Sequence, residues 1–214
     1  MTVVQPFYDV DGITIYHADC ADVIPLVPPE TVDLLLTDPP YGINYQPDAR
    51  QNQNSQFADR VTGDQSTFDP APLLAYRSII WGANNFASQL PDSGGWVVWD
   101  KVTRNGFNLP RAECELAWSN VSSTPRMFRH MWTGAFRDSE YGVSLHPTQK
   151  PVSLMRWIVD RWTEPSDLVF DPYMGSGPIA RACLDLGRRY IGVEIVEEYC
   201  QTAVDRLGQL ALKL

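Results

Sequence analysis

The chain has 214 residues, 44% of them hydrophobic and 20% charged, enough for one well-buried globular core with modest insertions and too apolar for disorder. No apolar run approaches the length of a bilayer span, and the first thirty residues lack the basic start and apolar centre of a signal peptide, so a cytoplasmic protein is expected. A net charge of −9 excludes a protein whose whole surface attracts nucleic acid.

In chain order, residues 12–17 (GITIYH) read as a short strand, followed by a helical stretch over 21–26 that Pro28 and Pro29 stop. The apolar run 31–37 (TVDLLLT) reads as a second strand, ending at Asp38, Pro39, Pro40, Tyr41 and Gly42, which cannot continue a ladder. Residues 46–67 are polar and poor in large aliphatics, which predicts a long mobile loop of the kind kept for function. Strands are expected at 77–81 and 96–99, and a meander over 112–118 and 126–132. Pro151 suits a first helical position, and Leu154, Met155, Ile158, Val159 and Trp162 share one face of the segment after it. A regular strand, helix, strand, helix unit closes the chain, over 167–170, 179–186, 190–193 and 196–210. Strands alternating with helices imply a doubly wound, mostly parallel α/β sheet in a single domain spanning 1–214.

Charge is unevenly spread. Lys101, Arg104, Arg111, Arg126, Arg129 and Arg137 fall between 101 and 137 against only Glu113 and Glu115, interleaved with Phe107, Trp118, Phe128, Trp132 and Phe136. Phosphate neutralisation and base stacking use that mixture, so the window reads as a nucleic-acid surface within a candidate recognition region, 101–145, with Lys101, Arg104, Arg126, Arg129 and Arg137 as contacts. The alternative is a strand edge with solvated arginines. Cys20, Cys114, Cys183 and Cys200 form no CxxC or Cys/His cluster and read as packed thiols, with no metal site.

Ligands of open α/β sheets bind beyond the carboxyl ends of the strands, where this sequence places Asp19, Asp38, Asp171 and Glu194. One such Asp is usually a cap or turn residue, but four in corresponding places point to a site. In the turn from Asp171 to Gly177 (DPYMGSG), Gly175 and Gly177 allow a ligand to approach the backbone, and no GxGxxG fingerprint is present. An acid beside that turn repels a pyrophosphate and favours an ammonium or sulfonium, while Glu194 suits a ribose diol. The ligand described is S-adenosylmethionine. At the other turn, attack by an exocyclic amine needs acceptors for both its N–H bonds. The Asp38 carboxylate supplies one and the Pro39 carbonyl the other, with Pro39 and Pro40 holding the turn rigid and Tyr41 offering a flat face to an extruded base. A proline-rich strand end is the plain structural reading.

DPPYG at 38–42, HPTQKP at 146–151 and DPYMGSG at 171–177, running on to GRRYIGVEI at 187–195, resemble the permuted β group of amino-DNA methyltransferases, in which the catalytic motif precedes the cofactor motif. The segments 79–86, 94–101 and 112–118 are similar to the strands that follow the catalytic motif in that family. The resemblance covers most of the chain and implies a circularly permuted, Rossmann-like methyltransferase sheet with a small recognition insertion. It implies S-adenosylmethionine as cofactor, double-stranded DNA as partner and direct methyl transfer. By resemblance Asp38, Pro39, Pro40 and Tyr41 hold the target base, while Asp171, Pro172, Gly175 and Gly177 surround the methionine part of the cofactor. Glu194 takes the ribose, Asp19 and Cys20 lie near the adenine, and Lys150 contacts the cofactor from above. Asp rather than Ser at the first catalytic position is the form associated with N6 of adenine. N4 of cytosine, adenine in RNA and an inactive DNA-binding partner are the alternatives, and a glutamine-modifying methyltransferase ranks below them.

Two departures stand out. Pro178 replaces the Thr usual after Gly-Ser-Gly, removing a hydroxyl and an N–H. The recognition region is short, so a homodimer or a short target sequence is expected to compensate; a restriction-modification pair would add a cognate restriction enzyme. His17, His130 and His146 read as structural or contact residues.

Overall fold

The computed structural model describes residues 4–44, 62–102, 112–133, 136–140 and 149–208. In chain order the elements are β1 (Tyr8–Val10), β2 (Ile13–His17), α1 (Cys20–Val23), β3 (Leu34–Thr37), β4 (Ser78–Trp81), β5 (Gly95–Asp100), β6 (Cys114–Ser119), β7 (Arg126–Arg129), β8 (Trp132–Thr133), β9 (Phe136–Arg137), α2 (Val152–Trp162), β10 (Leu168–Asp171), α3 (Pro178–Leu186), β11 (Arg189–Glu194) and α4 (Glu197–Gly208). Among the described residues, nine strands form one sheet in the order β1-β2-β11-β10-β3-β4-β6-β5-β7, and β8 and β9 form a separate ribbon.

The run from β2 to β4 is wholly parallel, as the alternating pattern predicts. The antiparallel pairs come from β1 and β6. β1 is joined to β2 through Asp11 and Gly12, both at positive φ (53° and 78°), the conformation a tight Asp-Gly hairpin demands. The expected meander is corrected: β6 inserts between β4 and β5, and β7 lies parallel to β5 at the sheet edge. Residues 126–132 are not one strand, because the chain breaks after Arg129.

Leu34, Leu35 and Leu36 are all fully buried, which explains an apolar run without alternation. Leu34 and Leu36 face the layer formed by α2, α3 and α4, whereas Leu35 joins Phe170 and Ile80 on the opposite face. Burial of each such side chain stabilises the fold by about 1.5–3 kcal/mol. The predicted face of α2 is the buried one, with Leu154, Met155, Ile158 and Val159 inside. The second face of the sheet is covered by α1, single helical turns and the segment around Phe68, Leu73, Tyr76 and Phe86 rather than by long helices. Cys114 departs from the packed-thiol expectation: it is exposed on β6. No helix among the described residues is long and apolar enough to cross a membrane.

Candidate active site

β3 and β10 are hydrogen-bonded neighbours, with Phe170 paired to Leu35, so the turns that follow them emerge side by side. Asp171, at the end of β10, is fully buried. Its carboxylate accepts from the Thr37 hydroxyl at 2.7 Å, the Tyr190 hydroxyl at 3.1 Å and the Tyr173 backbone N–H at 3.2 Å. Burial nevertheless pushes this carboxyl up to about 7, against those three bonds and with Asp38 adding to the rise.

The turn after β3 is cross-tied. Asp38 forms an ion pair with the Lys150 ammonium, and its Oδ1 accepts from the Tyr41 hydroxyl at 2.6 Å. Lys150, 3% exposed, also donates to the Tyr41 oxygen at 3.0 Å and lies 3.3 Å from Glu115 of β6, which pairs with Lys101 at 3.0 Å. Burial raises the Asp38 carboxyl in spite of Lys150, whereas for Glu115 the two lysines outweigh burial and hold its carboxyl low. Burial alone would lower the Lys150 ammonium, but Asp38 and Glu115 hold it high. The Tyr41 ring lies against Gly82, where an added Cβ would sit 1.9 Å from it. Asp64, 4% exposed, accepts the backbone N–H groups of Gly42 at 2.7 Å and Ile43 at 3.2 Å, fixing the far side of the turn.

Asp38, Lys150, Asp171, Tyr173, Gly175 and Ser176 line a single cleft. Two turns far apart in sequence, one carrying the Asp38 carboxylate and the other Asp171 and Gly175, thus share one opening.

A family model described as DNA methylase (N6_N4_Mtase) matches residues 91–205. The chain belongs to the N6/N4 DNA methylase family. YubD of Escherichia coli (strain K12), which carries the provisional designation of a methylase, is 29% identical over 207 residues, covering 90% of this chain and 88% of that protein. The structure of M1.HpyAVI in complex with SAM shares 27% identity at a TM-score of 0.53, covering 91% of this chain and all of that one. The cytosine-N4-specific PvuII DNA methyltransferase shares the fold at a TM-score of 0.66 and 15% identity, over 98% of this chain and 91% of that one.

Not every predicted site residue of the methylase reaches the cleft wall. Pro39 and Pro172 are buried in their turns, and Pro40 is half-buried. Glu194 accepts the Gly175 and Val196 N–H groups, both at 2.9 Å, so it braces the glycine turn from behind. Asp19 is exposed and caps α1 through the Ala21 N–H, the ordinary fate of an Asp at a strand end. Cys20 stands beside it, hydrogen-bonded to the Tyr173 side chain at the cleft, and burial raises its thiol. Gly177 is required by packing, since a Cβ there would lie 2.7 Å from that of Ala203 on α4. Gly175, at φ 55°, does line the cleft.

The basic residues do not form one patch. Lys101 turns inward to Glu115. Arg126 and Arg129, three apart on the edge strand β7, point to opposite faces of the sheet. Arg129 stands at the same carboxyl edge as Asp38 and lies 3.5 Å from Asp100, while Arg137 covers the Trp132 ring at 4.2 Å. Arg104, His146 and residues 46–61 of the expected mobile loop lie outside the described residues. The end of that loop is a fixed support, because it supplies Asp64. His17 bonds the Ile195 carbonyl and His130 the Ser139 and Ser153 hydroxyls, both structural roles.

Glu115, Asp64, Gly82, Ser176 and Arg206 went unread in the sequence. Glu115 carried a usable signal, a charged residue inside an otherwise apolar strand.

Proposed function

We propose that this methylase transfers a methyl group from S-adenosylmethionine to N6 of an adenine extruded from double-stranded DNA. The observation that carries the reading is the shared cleft, lined by Asp38 from the turn after β3 and by Asp171 and Gly175 from the turn after β10. The residues present suit such a cofactor: the Asp38 and Asp171 carboxylates line the cleft, and the buried Arg206 Nε behind Ser176 is a donor with no partner among the described residues. When bound, the cofactor would supply an electrophilic sulfonium methyl; the N–C bond to the adenine amine would form in line as the S–C bond breaks, releasing S-adenosylhomocysteine with no covalent enzyme intermediate.

The protein's contribution is positioning and electrostatics. Asp38 and the Pro39 carbonyl accept the two N–H bonds of the amine, localising its lone pair on nitrogen; the proton lost after transfer leaves to water. Asp171 favours the positive end of the cofactor, and Glu194 accepts a ribose hydroxyl on the lone pairs its backbone donors leave free. Incubating the protein and S-adenosylmethionine with unmethylated genomic DNA, then identifying the modified nucleoside after digestion, decides the reaction. N6-methyladenine is expected, and N4-methylcytosine or an unmodified product would overturn the assignment.

Because the Asp171 carboxyl lies near 7 in the free protein, binding a cation there expels a proton. Affinity for S-adenosylmethionine should therefore rise with pH through about 7 and level off above it, with proton release visible in calorimetry across buffers of different ionisation enthalpy. Glu194→Ala should weaken binding about tenfold in the same titrations and leave that slope in place. A pH-independent affinity would remove the cation from Asp171, and an unchanged affinity in the Glu194 variant would remove the ribose contact.

For DNA, Arg129 is the contact at the carboxyl edge of the sheet. Arg129→Ala should lower the slope of log affinity against log salt by about 0.9, one phosphate's worth, while Arg126→Ala on the other face leaves it alone. Equal effects of the two would place the DNA elsewhere.

A further inference from the structure

The α3 helix opens on the cleft without a conventional cap. Its N-cap is Gly177, which offers no side-chain acceptor, and Pro178 occupies the first position, so the hydroxyl that the family usually places there is missing. Behind this end stands Arg206, on the buried face of α4 and only 4% exposed. Its Nη2 donates to the Ser176 hydroxyl at 3.3 Å, its Nη1 lies 3.4 Å from Glu140, and its buried Nε has no partner among the described residues. Glu140 is shared: it also accepts the Val152 N–H at the start of α2 and the Gln149 side-chain amide. A guanidinium this deep, with one long and divided ion pair, has more donor capacity than the protein uses.

Charge in the cleft is correspondingly polarised. Asp38 and Asp171 bring negative charge to the cleft, whereas Ser176, backed by Arg206, and the uncapped α3 terminus are receptive to an anion. That is the complement of a zwitterion. Resting on the cofactor reading above, we infer that Ser176 receives the α-carboxylate of the cofactor's amino-acid part and that Arg206 is its positioning residue. By donating to the Ser176 oxygen, Arg206 leaves the hydroxyl hydrogen to point at the carboxylate and places a positive charge behind it. This pair supplies what Pro178 removed.

The test compares S-adenosylmethionine with its decarboxylated analogue, which keeps the sulfonium and the amine but lacks the carboxylate. Both are titrated calorimetrically into wild type, Ser176→Ala, Arg206→Lys and Arg206→Met, with thermal unfolding of each free protein measured alongside. Wild type should prefer the intact cofactor by about tenfold or more. Ser176→Ala and Arg206→Met should bring that preference towards unity by weakening the intact cofactor alone, with Arg206→Lys retaining part of it. A purely structural arginine would weaken both ligands together, and that result, or a preference left intact in Ser176→Ala, overturns the inference. If Arg206→Met fails to fold, Ser176→Ala decides. A wild type that binds the intact cofactor no better than the analogue overturns the carboxylate contact only, whereas one that binds neither overturns the cofactor reading beneath it.

Discussion

Replacing Asp38 with Ala should reduce methyl transfer by on the order of 10³-fold or more while S-adenosylmethionine affinity stays within about threefold. The amine of adenine is a poor nucleophile because its lone pair is delocalised into the ring, and in the proposed reaction Asp38 is the charged member of the two acceptors that reverse this. The loss falls on turnover because the contact matters most as charge develops on nitrogen. The fold should tolerate the change, since Lys150 keeps Glu115 as a counter-ion at 3.3 Å. In the free protein the Asp38 carboxylate is already occupied by Lys150 and by the Tyr41 hydroxyl, so the incoming amine must displace at least one of them. Single-turnover rates measured with saturating cofactor separate the two effects. Equal losses of binding and rate would mean that Asp38 only shapes the cleft.

The parallel half of the sheet was legible because each strand and helix there is an uninterrupted periodic segment bounded by Gly or Pro, and parallel pairing follows from the alternation. The place of β6 was not: nothing in its own residues says that it threads between β4 and β5 rather than beside them, since strand order is fixed by tertiary packing. The Asp11-Gly12 hairpin carried a signal in its dipeptide but joins a strand of three residues, too short to show alternation. Asp38 and Asp171 were legible as a pair because both end buried strands. Lys150 was placed at the cofactor, yet its ion pair with Asp38 spans more than a hundred positions and leaves no local pattern. Arg206 was legible in principle. It falls on the face of α4 that buries Cys200, Ala203 and Leu207, where a charged residue needs a partner.

Lys150→Met should destabilise the folded protein by about 3 kcal/mol near neutral pH, towards the lower end of what breaking a buried ion pair costs because both carboxylates keep some contact with water. Methionine fills much the same space, so the loss is electrostatic: Asp38 and Glu115 remain beside each other with only Lys101 for company. The pH dependence identifies the cause. In wild type Glu115 is held low, so its stabilising contribution is complete above the unfolded carboxylate range and fades as pH falls through the folded value. Lys150 is held high, so its contribution is complete below the unfolded lysine range and fades as pH rises through the folded value. Between those limits the pair is fully formed. In the variant the two carboxylates share a proton more readily, their folded values rise, and the folded state gains stability on acidification. Urea unfolding at about pH 8 and about pH 5.5 should therefore show the gap between wild type and variant narrowing at the lower pH. A gap of the same size at both would assign the loss to packing and detach Lys150 from the electrostatics of the catalytic turn.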